Sequence, residues 1–170
     1  WRALLAAGVL FGSIFAFASA FQTVLRYPFS LTWSEGNRIW DYSILYGRRL
    51  YLYPADQPIS AYIDPGRQSL WGIPFLLPRV SIEMMRLWSA LVFTVPYAIL
   101  GWFAFRGKDE NLAVWFLLGL WAFIFLNQGP IYTPLVLAAI LVAAARRYPL
   151  WLAFPLVLLS GYYARASRLT

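Results

Sequence analysis

The chain has 170 residues, of which 61% are hydrophobic and 12% charged, and its mean hydropathy is +0.61. A soluble domain is roughly half apolar and a quarter charged, so this is the composition of an integral membrane protein folded as one helical bundle. The absence of Cys and His excludes disulfides, thiolate metal sites, the usual haem and Fe–S ligands and His-based catalysis. The net charge of +7 comes from arginines placed singly or in pairs beside apolar runs, not from the continuous basic face that nucleic-acid binding requires.

The expected fold is all-α: a multi-pass transmembrane bundle of about five spans, read as one membrane domain over residues 1–170. The first span covers residues 3–25, contains no charge, and is bracketed by Arg2 and Arg26. It exceeds the roughly 20 residues needed to cross the hydrocarbon core and is too long and Phe-rich for a cleaved signal peptide. Residues 26–86 form a long connecting segment with seven of the fourteen Lys and Arg and five of the seven Asp and Glu.

Within that segment, Ile39, Tyr42, Ser43 and Tyr46 recur at helical spacing beside Trp40, which predicts an interfacial helix over residues 37–46. Prolines at 54, 58, 65, 74 and 78 then punctuate an irregular stretch. Its apolar part, residues 70–77, is too short to span and is expected to dip into the interface. The second span covers residues 87–105 with Pro96 near its middle, where the missing backbone N–H predicts a kink. Three shorter spans follow at residues 112–126, 131–145 and 150–163, joined by short connections that make them antiparallel neighbours. Small residues such as Ala138, Ala139, Ala143 and Ala144 would let their backbones approach closely, as Gly8 and Gly12 would in the first span.

Orientation follows from the short loops. If every span crosses, Arg2, Arg106, Lys108, Arg146 and Arg147 share one side, and the opposite short loop, Asn127 to Pro130, is uncharged. This predicts a cytoplasmic N-terminus and an extracytoplasmic 26–86 segment in a bacterial-type plasma membrane.

The chemistry-bearing residues lie in that segment. Glu35 is the first carboxylate after the first span. Held there, it would deprotonate a hydroxyl acceptor or contact a divalent cation; alternatively Ser34 caps a helix and Glu35 merely favours its N-terminal dipole. Asp41, Asp56 and Asp64 are further acids, with Asp64 before Pro65-Gly66 reading as a turn former. Arg38, Arg48, Arg49 and Arg67 would bind a lipid phosphate or the headgroups of the bilayer. No metal site and no cofactor are expected.

The order of features (a first span, Glu35-Gly36, an interfacial helix, Gly47-x-x-Leu50-Tyr51 and a proline-rich stretch leading to the second span) resembles the N-terminal part of GT-C-fold glycosyltransferases. Asn127-Gln128-Gly129-Pro130 before a Leu- and Ala-rich span adds to the likeness. Many members carry an Asp-Glu pair where this chain has Ser34-Glu35. The resemblance implies transfer of a sugar from a polyprenyl-phosphate donor on the extracytoplasmic side, with Glu35 at the catalytic position. Complete enzymes of the family have many more spans, so it implies either the membrane portion of a longer protein or a reduced relative. The alternative is a non-catalytic subunit that holds no redox cofactor and packs against other membrane subunits of a bacterial respiratory or photosynthetic electron-transfer complex. A carrier or channel fits less well, since no span contains a charge.

Overall fold

The computed structural model describes residues 1–26, 33–46, 65–105, 111–126 and 133–166. Among these there are helices and turns but no strand. The apolar opening run forms α1 (Arg2–Gln22) and tightens into a 3-10 turn, Thr23–Leu25. It is followed by α2 (Trp33–Leu45) and the short α3 (Pro65–Trp71), which runs into a second 3-10 turn, Ile73–Leu76. The remaining helices are α4 (Ile82–Phe105), α5 (Leu112–Leu126), α6 (Thr133–Ala145) and α7 (Leu150–Ala166).

Two of these, α1 with its 3-10 turn and α4, are long and apolar enough to cross a membrane. The shortest of α5, α6 and α7 is α6, only about 20 Å long at 1.5 Å per residue, against a hydrocarbon core of roughly 30 Å. It lies against both α4 and α7, burying Thr133, Pro134, Val136, Ala138, Ile140, Ala144 and Ala145.

Two helices start earlier than their apolar pattern predicts. The interfacial helix begins at Trp33 and not at residue 37, so Ser34 lies inside its first turn and Glu35 sits where a negative charge meets the helix dipole. The second long helix begins at Ile82, five residues before the apolar run at 87. Ser81 Oγ accepts the Met84 N–H at 3.2 Å and caps it, which draws Glu83 and Arg86 into the helix. Beyond Pro96, α4 continues as α-helix to Phe105.

Three side-chain to backbone bonds set the direction of the bundle. Arg86 Nη1 donates to Arg26 O at 3.2 Å, so the end of the first long helix meets the start of α4. Arg147 Nε donates to Phe103 O at 3.1 Å, so α6 and α4 end together and run parallel. Ser160 Oγ donates to Ala138 O at 3.1 Å and ties α7 back along α6. One end of the bundle therefore carries α2, α3, Arg26 and the start of α4, and the other carries Arg146 and Arg147.

Packing divides into two cores. In mid-bundle, Phe123 is 0% exposed and its ring lies 4.8 Å from Phe17, 5.0 Å from Tyr97 and 5.8 Å from Phe93, the last two edge-on. Edge-to-face rings at these separations add to the gain from area burial. Here α4 and α5 approach closely because Gly119 faces Gly101: a Cβ at 119 would lie 3.1 Å from the Gly101 Cα. The second core, Ile39, Tyr42, Trp71, Phe75 and Met85, joins α2 and α3 to the first turns of α4. Gly72 permits it, since a Cβ there would come within 2.7 Å of both Gln68 O and Tyr42 O.

Candidate functional site

Residue 35 follows the first long helix by about ten positions, and the early start of α2 brings it back over that helix's end. There Arg86 meets it from α4. Arg86 Nε donates to Glu35 Oε1 at 2.7 Å and Arg86 Nη2 to Oε2 at 3.0 Å, a bidentate pair. Parallel N–H···O bonds of this kind fix the carboxylate plane as well as its charge. Arg86 is 7% exposed and the Glu35 side chain 26%, so the cation is enclosed while the carboxylate keeps an opening to the outside. With Nη1 on Arg26 O, one guanidinium ties together three segments far apart in the chain.

The surroundings are apolar below and hydrogen-bonded to the side. Ile39, Tyr42 and Ser43 are buried and Tyr46 half-buried, so the face read from helical spacing is the one α2 packs inward, while Asn37 and Arg38 are exposed. Tyr46 Oη donates to Ser69 O at 2.8 Å, and Trp88 Nε1 donates to Leu70 O at 2.7 Å. Burial, with a smaller effect from Tyr163, pushes the Tyr46 phenol above its ordinary value. Gln68 and Thr133, 2% and 1% exposed, leave Nε2 and Oγ1 without a hydrogen-bond partner.

Of the cations expected to meet a phosphate, Arg38 stands exposed on α2. Arg67 lies on α3, but its side chain is outside the described residues, as are Arg48 and Arg49 altogether. The side chain of Asp41, and Asp56 and Asp64, are likewise outside them. No three Asp, Glu, His or Cys gather into a metal site among the described residues.

The sequence reading overlooked Arg86, treating it as the boundary of a span. Its signal was there: Met84-Met85-Arg86-Leu87-Trp88 puts a cation inside an apolar run, where a charge persists only with a partner. Chemically the arrangement holds one oriented carboxylate, with partial access to solvent, at the end of two long apolar helices. Compared with known protein families, with curated proteins and with solved structures, the chain matches none.

Proposed function

We propose that this chain is a five-span membrane domain of the GT-C glycosyltransferase kind, transferring a sugar from a polyprenyl-phosphate donor at the end of the bundle that carries α2 and α3. In this reading that end is extracytoplasmic, the Arg146–Arg147 end is cytoplasmic, and the membrane is a bacterial-type plasma membrane. Glu35 takes the proton of the acceptor hydroxyl as its oxygen attacks the sugar. The bond to the phosphate breaks, and polyprenyl phosphate leaves, met by Arg38, Arg48, Arg49 or Arg67.

The observation that carries this reading is the Glu35–Arg86 pair. A general base must be held within hydrogen-bond reach of its proton and remain ionised until it acts. A carboxylate gripped through both oxygens by an enclosed guanidinium, yet 26% exposed, meets the requirement for orientation and for access. The test is sugar transfer from polyprenyl-phosphate-linked donors by the full-length protein in membranes. Glu35→Gln is expected to lower the rate by about two to four orders of magnitude, the usual worth of a positioned base. Full activity in a folded Glu35→Gln protein would remove Glu35 from catalysis.

The same pair also favours a second reading, a non-catalytic subunit in which Glu35 and Arg86 only lock α2 to α4. The broad apolar faces of α1 and α7, with Phe11, Phe15, Trp151 and Phe154 exposed, would then meet other membrane subunits. Co-purification of stoichiometric partners, with no transfer activity, is the outcome that selects it.

A further inference from the structure

Beside α4, on the side away from Arg86, lies a groove of about 320 Å³ walled by Ile73, Pro74, Leu76 and Leu77 on one side and by Met84, Leu87, Trp88 and Leu91 on the other. The one polar atom of Trp88 that would disturb it, Nε1, is turned away and bonded to Leu70 O. Leu76, Leu77, Met84 and Leu87 leave their side chains exposed along the rim. Residues 78–83 connect the two walls in sequence.

That connecting segment carries Arg79, which is exposed and adopts φ 60. A left-handed backbone is unfavourable for a long side chain, and such conformations concentrate where a site needs a group aimed in a particular direction. No ion pair links Arg79 to a carboxylate among the described residues. An aliphatic groove with an exposed guanidinium two residues beyond Leu77 of its wall is complementary to an amphiphile with one anionic head.

We infer that the groove seats an acyl chain of an anionic phospholipid, whose phosphodiester is bound by Arg79. The groove lies along the first turns of a helix long enough to span a bilayer, the depth at which acyl chains meet their headgroups. Its volume is at the lower end of the roughly 300–1,000 Å³ of small-molecule sites, which suits part of one acyl chain better than a long polyprenyl chain. A guanidinium matches phosphate oxygens in a fork, and a juxtamembrane cation favours anionic over zwitterionic lipid. The inference needs only that this end of α4 lies at a membrane boundary, and it stands whether or not Glu35 is a base.

The experiment is native mass spectrometry of the full-length protein in detergent, with dioleoyl-phosphatidylglycerol and dioleoyl-phosphatidylcholine added at equal concentration. Wild type is expected to retain phosphatidylglycerol preferentially. Arg79→Gln, at an exposed position, should lower that retention about fivefold while leaving phosphatidylcholine unchanged. Leu87→Trp, which fills the groove, should lower retention of both. Equal retention of the two lipids by wild type, or unchanged phosphatidylglycerol retention in Arg79→Gln, overturns the inference. So does displacement of bound phosphatidylglycerol by an equimolar polyprenyl phosphate, which would make that lipid the occupant.

Discussion

Arg86 occupies a position that the hydrocarbon-like sequence around it would ordinarily forbid. An enclosed guanidinium is costly to desolvate, and it persists because Glu35 and the Arg26 carbonyl meet all three of its nitrogens. Removing both partners should therefore cost less than the two single losses added together. Arg86→Gln is expected to destabilise the protein by about 2–4 kcal/mol, because Glu35 is then left as a mostly covered carboxylate without its cation. Glu35→Gln should cost a similar amount. The double variant should fall short of the sum by about 1–3 kcal/mol, the coupling energy of residues in direct contact. Denaturant titration in micelles measures all three; strictly additive losses would mean the pair is not formed in solution.

Between elements, α2 and α3 are held by the Tyr46–Ser69 hydrogen bond as well as by Tyr42 and Trp71, whose rings lie 6.1 Å apart. Tyr46→Phe should cost about 1 kcal/mol, the net worth of one such bond. The loss should depend on pH in a definite direction. The Tyr46 phenol is raised from its ordinary 10.0, so the folded protein keeps that proton to higher pH than the unfolded chain. The contribution is then constant below pH 10 and disappears as pH rises past it. The stability difference between wild type and Tyr46→Phe should stay level from pH 6 to 9 and narrow above 10; a difference that widens there would contradict the burial argument. These elements also mark what the sequence could reveal. The inward face of α2 was legible because Ile39, Tyr42, Ser43 and Tyr46 carry a simple period that burial obeys. The start of α4 was not, because Glu83 and Arg86 break the apolar run, and only a partner 51 residues away in sequence makes Arg86 tolerable. Glu35 could be singled out as the first acid after a long apolar helix, but its orientation is a tertiary fact. The groove beside α4 was equally hidden, since it needs the 3-10 turn and α4 to be brought side by side.

At the scale of the whole molecule, the bundle has two unlike ends. Arg146 and Arg147 are exposed where α6 gives way to α7, and α1, running from Arg2 toward the start of α4, begins at that same end. At the other end the acid-containing α2 packs down onto α4, and its arginine, Arg86, is neutralised. Short loops rich in arginine stay on the cytoplasmic side during insertion, whereas long segments translocate largely regardless of charge. The asymmetry therefore predicts a definite orientation, and the chain is suited to test it because it contains no Cys, so that a single introduced thiol labels without background. Asn37 on α2 and Tyr148 after α6 are both exposed, which makes cysteine at either site accessible without disturbing a core. A membrane-impermeant maleimide should label Asn37→Cys in intact cells and reach Tyr148→Cys only after permeabilisation. Labelling of both sites from outside would mean that one of α5 and α6, the short helices between the two sites, does not cross. The reverse pattern would invert the orientation, placing Glu35 and the Arg79 groove at the cytoplasmic face, and a polyprenyl-phosphate sugar presented on the outer side would then be out of reach of Glu35.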